Sequence, residues 1–212
     1  MLLEGSRSSD MRVRVWLPRQ ISSLTKRLLP FKTRSFVLVL LVALTFFSPL
    51  ALAQNQPMAA AAASACGPSD TKFDVKSNKH THPLSQPTEG KALVYFIQDD
   101  SLFASFPKPT TRAGLDGAWV GATHGNSYFY FSVDAGEHHL CASWQSEVVL
   151  GAGQKTAAAH FNAKAGDVLY FRVRNTWSRE AVAAIDFAPV DSDEALLLMS
   201  TFSFSSSRPK PN

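Results

Sequence analysis

From residue 91 onward the chain alternates apolar and polar positions in short runs, and tight-turn residues divide the runs. The segment 114–144, GLDGAWVGATHGNSYFYFSVDAGEHHLCASW, is broken at Asp116-Gly117, Gly125-Asn126 and Asp134-Ala135-Gly136. A period of two between such breaks predicts half-buried strands joined by turns. Residues 91–98, KALVYFIQ, are apolar on both faces, the pattern of a strand with both sides covered. A further strand is predicted over 113–120, with Asp116-Gly117 inside it as a turn or bulge. Over 128–133, Phe129, Phe131 and Val133 share one face and Tyr128, Tyr130 and Ser132 the other. Beyond the next turn, His138, Leu140, Ala142 and Trp144 oppose His139, Cys141 and Ser143. Leu140 and Trp144 are assigned to the core, which turns Cys141 outward.

Strands are also predicted over 157–162, 168–174 and 182–187. Pro107 and Pro109 make 99–111 a loop. Asp191-Ser192-Asp193-Glu194 ahead of ALLLMS is a helix start with acidic residues in its first turn, and that helix is expected to close an edge or an end. Short strands at about ten-residue spacing predict an all-β fold, a single antiparallel β-sandwich of about seven strands with a short C-terminal helix. The sandwich is assigned to 91–200, with a disordered Ser/Pro-rich tail over 201–212.

The first 53 residues follow a different pattern. Basic residues end at Arg34, an apolar run FVLVLLVALTFF spans 36–47, and Ala51-Leu52-Ala53 precedes Gln54 as a small-x-small site. The apolar run is shorter than the roughly 20 residues of a spanning helix. Residues 1–53 are therefore expected to be a signal peptide, starting at Met1 or Met11, with membrane contact only if it stays uncleaved. Residues 54–90 divide into an alanine-rich spacer and a polar, irregular arm with Pro68, Pro83 and Pro87.

Charge changes the picture once it is located. The net charge of +4 arises in residues 1–34, which hold eight of the 21 basic residues and two of the 17 acidic ones. The remainder keeps 13 basic against 15 acidic residues, so no basic stripe for nucleic acid survives. The two cysteines, Cys66 and Cys141, form an even pair, most simply a disulfide after export to the periplasm or cell surface. Such a link would restrict the unfolded chain by about 4 kcal/mol.

Lys91-Ala92-Leu93-Val94-Tyr95, Leu115-Asp116-Gly117, Gly121, Ser127-Tyr128-Phe129, Ala135-Gly136-Glu137-His138 and the series from Ala165-Gly166-Asp167 to Tyr170 follow a recognisable order. In these residues the chain resembles the bacterial family named domain of unknown function 2846, and its DG…G…GEH core is similar to the PEGA repeat, a small β-rich surface module. The resemblance implies an exported envelope protein and supplies no catalytic residues.

Candidate chemistry is sparse. His138 and His139 are adjacent on a strand and point to opposite faces, and His80 and His82 lack two further ligands, so no metal site or cofactor is assigned. No serine sits in a G-x-S-x-G elbow and no phosphate-binding glycine loop is present, so no catalytic residue is assigned and the protein is expected not to be an enzyme. Tyr128, Tyr130 and Tyr170 are the candidate ligand face. The expected role is a non-catalytic protein-interaction or structural module of the cell envelope whose partner is another envelope protein or a glycan. The alternative is a carbohydrate-binding module using those tyrosines as an exposed platform.

Overall fold

The computed structural model describes residues 64–211. The predicted signal peptide and the spacer up to residue 63 lie outside the described residues. Ten strands follow in order: β1 (Phe73–Asn78), β2 (Lys91–Asp99), β3 (Thr110–Leu115), β4 (Ala118–His124), β5 (Ser127–Asp134), β6 (Gly136–Trp144), β7 (Thr156–Ala163), β8 (Val168–Thr176), β9 (Ala184–Pro189) and β10 (Ser203–Pro209). Helix α1 (Ser192–Thr201) separates the last two. The strands form a six-stranded sheet, β1-β10-β5-β2-β8-β9, packed on a four-stranded sheet, β4-β3-β6-β7. The all-β sandwich stands, with ten strands rather than about seven, and it is not purely antiparallel. The chain leaves the large sheet after β5, forms β6 and β7 in the small one, and returns as β8 parallel to β2.

The extra strands have local causes. Asp116 (φ 50°) and Gly117 (φ 89°) both take positive φ. That is the demand of a two-residue hairpin turn whose twist matches the flanking strands. The strand predicted over 113–120 is therefore two, β3 and β4, paired antiparallel. The arm predicted as irregular contains β1, and the tail predicted as disordered is β10, which lies between β1 and β5. Serine hid β10 from a hydrophobicity pattern. Ser203 and Ser205 are buried, and the Ser205 hydroxyl donates to Ser127 Oγ at 2.9 Å. Buried hydroxyls with partners can replace apolar side chains where strands pack closely.

The principal core lies between the sheets: Val94, Phe96, Phe129, Phe171, Val173 and Phe187 from the large sheet meet Ala113, Leu140, Ala142 and Phe161 from the small one. A second cluster covers the outer face of the large sheet, where Leu93, Tyr95, Ile97 and Tyr128 pack under Ala195, Met199 and Phe202. This explains why β2 is apolar on both sides. Asp191 caps α1 by accepting from Glu194 N–H at 2.9 Å, and Arg172 of β8 pairs with Glu194. The helix therefore lies over a sheet face instead of closing an edge or an end.

Residues 64–72 form a strap across the outer face of the small sheet. Cys66 is disulfide-bonded to Cys141 of β6, with Cα atoms 5.2 Å apart. Cys141 does point away from the inter-sheet core, as the alternation requires, yet the strap buries it completely. The approach is too close for side chains. A Cβ at Gly114 would sit 2.7 Å from the Ala65 carbonyl oxygen, and one at Gly67 would sit 2.4 Å from the Trp119 ring. Trp119 Nε1 donates to Pro68 O at 2.8 Å, and Arg112 donates to Ser69 O and Thr71 O at 3.1 and 2.7 Å. The Arg112 guanidinium lies 4.2 Å from the Trp119 ring centre, its Nε has no hydrogen-bond partner, and burial lowers its pKa.

Candidate functional site

The chain has four tyrosines, and the strand registers bring all of them together. Tyr95 of β2 is aligned with Tyr130 of β5 on one side and Tyr170 of β8 on the other, a row across three strands. Tyr95 stacks on Tyr170 at 5.2 Å with an interplanar angle of 20° and meets Tyr130 at 5.4 Å. Tyr128 lies one step along β5, 6.4 Å from Tyr95. A cavity of about 310 Å³ opens beside Tyr170, lined by Val168, Pro189, Val190 and Ser192 among others.

This row is covered, not open. Residues 79–90, the connection from β1 to β2, lie against it. Pro83, Ser85 and Pro87 are half-buried against the face, while Leu84, Gln86 and Thr88 are exposed. The contacts reach the segment's backbone. Tyr95 Oη accepts from Ser85 N–H at 2.7 Å, Tyr128 Oη donates to Pro83 O at 3.4 Å, and His82 Nδ1 lies 2.9 Å from Met199 O. Burial pushes the Tyr128 hydroxyl up to about 12 and also raises Tyr95 and Tyr170. The exposed platform expected of Tyr128, Tyr130 and Tyr170 is thus corrected: Tyr128 is fully buried, and Tyr130 and Tyr170 are half-buried. A sugar platform needs ring faces open to water; these rings pack on one another and on Phe204.

A second constellation, which the alternation pattern did not reveal, sits at the end of the sandwich under the loop 100–109. Trp144 Nε1 can only donate, and it donates to Asn175 Oδ1 at 2.7 Å. That fixes the Asn175 amide, whose Nδ2 donates to Asp100 Oδ1 at 2.6 Å. Gln98 is fixed likewise, since its Nε2 faces the Pro109 carbonyl at 2.9 Å and Asp100 Oδ2 at 2.8 Å, while its Oε1 accepts from Thr123. Both Asp100 oxygens are therefore acceptors, and the carboxylate is almost fully buried. Burial raises its pKa to about 6, against the opposing hydrogen bonds from Asn175 and Gln98. A raised folded-state value means stability that is full below the ordinary value of 3.8 and lost as pH rises through about 6. Relative to Asp100→Asn, whose offset does not titrate here, the wild type should lose about 2 kcal/mol between pH 4 and pH 7. Denaturant melts of both proteins across that range read the difference; a constant difference would contradict the assignment.

The remaining predicted residues are dispersed. His138 Nδ1 lies 2.7 Å from Asp116 Oδ2 and its Nε2 2.9 Å from Asp134 O. Burial opposes charge on the ring, but these partners outweigh it and raise its pKa, while Asp116 is lowered by its contacts with His139 N–H and His138. The pair clasps the β3–β4 turn to β6. His80 is exposed on the segment 79–90. His139 is half-buried beside His160 of β7, so it is not simply solvent-facing.

Residues 88–185 match the family model described as Protein of unknown function (DUF2846). That match supports the DUF2846 family for the segment that runs from β2 to β8. No curated protein and no solved structure matches the chain. The four tyrosines and the Asp100 network all lie within the DUF2846 match. The elements that cover the tyrosines do not: the segment up to Pro87 and helix α1 fall outside it.

Proposed function

We propose that this DUF2846 protein is an exported, non-catalytic protein-interaction module of the cell envelope, in which the tyrosine row receives an extended polypeptide segment. The supporting observation is the way residues 83–87 are held. Tyr95 and Tyr128 hydroxyls contact main-chain atoms of Pro83 and Ser85, while alternate side chains face away. Aromatic rows that grip the backbone of a proline-containing strand are a recurring mode of peptide recognition. The disulfide supports the compartment, since such bonds persist in oxidising surroundings. The signal segment 1–53 supplies the route.

The test replaces residues 82–87 by a Gly/Ser linker of equal length in the full chain and titrates a synthetic peptide of residues 79–90. Binding to the opened variant, lost when Tyr95→Phe and Tyr128→Phe are added, is the expected outcome. A folded variant that ignores the peptide up to millimolar concentration would sink the reading.

A further inference from the structure

We infer that His139 and His160 form a binding site for a divalent d-block cation, Zn²⁺ or Cu²⁺, on the outer face of the small sheet. The inference is independent of the tyrosine row. His139 of β6 and His160 of β7 are directly opposed in the antiparallel register. Their ring centres lie 5.1 Å apart with the planes at 44°.

That separation admits an ion between them. With Zn–N about 2.0–2.1 Å, and a ring centre roughly 1.1 Å beyond its nitrogen, each centre lies about 3.2 Å from the ion. Two centres 5.1 Å apart then subtend about 106° at a shared ion, close to the tetrahedral angle. Rotation about χ2, which is soft for histidine, selects the nitrogen that faces the gap. Imidazole suits zinc and copper, whereas magnesium and calcium prefer oxygen ligands.

A third donor is at hand. Glu137 precedes His139 by two residues and shares its face of β6. Its Oε1 is already 3.8 Å from His160 Nε2, and both side chains are more than half exposed. Among the described residues no group of three or more His, Cys, Asp or Glu is already arranged as a metal centre. The site is therefore a two-nitrogen pair that Glu137 completes by a change of rotamer, with water in the remaining positions. Its backbone is preorganised: Asp116 Oδ1 accepts from His139 N–H at 2.8 Å, and Asp116 N–H donates to His139 O at 3.0 Å. Cys141, next on the same face, is held in the disulfide and does not compete.

The test titrates metal-free full chain with Zn²⁺ by calorimetry and with Cu²⁺ by visible absorption. One ion per chain is expected. His139→Asn and His160→Asn should each weaken binding about tenfold or more, and Glu137→Gln less. A His80→Asn/His82→Asn variant should bind as the wild type does. On the wild type itself, the imidazole NMR signals of His139 and His160 should shift on Zn²⁺ addition while that of His80 stays, a readout that survives any folding defect in the variants. Absence of binding at millimolar zinc, shifts confined to His80 or His82, or unchanged affinity in folded His139→Asn and His160→Asn would each overturn the site.

Discussion

Trp144→Ala is expected to cost about 3–5 kcal/mol of stability, the range for removing a fully buried large aromatic. Trp144 is completely buried at the C-terminal end of β6. It meets Phe103 edge-on at 5.7 Å with an interplanar angle of 87°, in a cluster with Ala183. Two losses compound. The cavity forfeits packing against the loop that carries Phe103, and the missing Nε1–H leaves Asn175 Oδ1 without its donor. The cost should therefore exceed that of Tyr130→Ala, because Tyr130 is only half-buried and contributes no hydrogen bond to this network. Urea melts of the two variants separate the outcomes; equal losses would mean that the end of the sandwich is less tightly packed than described.

Loss of the disulfide is the second large effect. Cys66 and Cys141 are 75 residues apart in sequence, and opening that loop should remove about 4 kcal/mol through the unfolded chain. The double variant Cys66→Ala/Cys141→Ala measures it without reductant. The strap should not detach altogether, since Trp119 and Arg112 still hold Pro68, Ser69 and Thr71. Native thiol alkylation should therefore find neither cysteine before reduction, and after reduction Cys66 should react faster than Cys141, which is fully buried. Alkylation of both thiols in unreduced, folded protein would show that the bond does not form.

The parts of the fold legible in the sequence were those written in apolar alternation. β2 was marked by an apolar run covering both faces and β5, β6 and β8 by apolar residues at period two, and Leu140 and Trp144 fell on the buried side for that reason. Three kinds of information were not written that way. β10 is stabilised by serine hydroxyls whose partners, Ser127 and Ser77, are remote in sequence. The parallel pairing of β2 with β8 depends on which sheet each strand joins, and a periodicity carries no such label. Tyr128, Tyr130 and Tyr170 were singled out without Tyr95, which joins them only through strand register, and their burial was not legible because the covering segment 79–90 is polar and has no period to announce that it lies on a sheet. The His139–His160 pair needs a register between two strands, whereas sequence adjacency drew attention to His138 and His139, which face apart.

The seating of β10 has a consequence for the order in which the molecule can assemble. Among the described residues β1 pairs only with β10, from Phe73 opposite Pro209 to Asn78 opposite Phe204. Synthesis proceeds from the N-terminus, so β1 waits for more than half the chain to be made before its one neighbour exists. Cys141, by contrast, emerges well before β10, and the disulfide can close while the large sheet still lacks that strand. The covalent tie then keeps the beginning of the domain beside the sandwich during the interval, which shortens the search that late, long-range strand pairing would otherwise impose. A chain stopped ahead of Ser203 would leave β1 unpaired and the edge of β5 bare, the state in which strand edges associate with other chains.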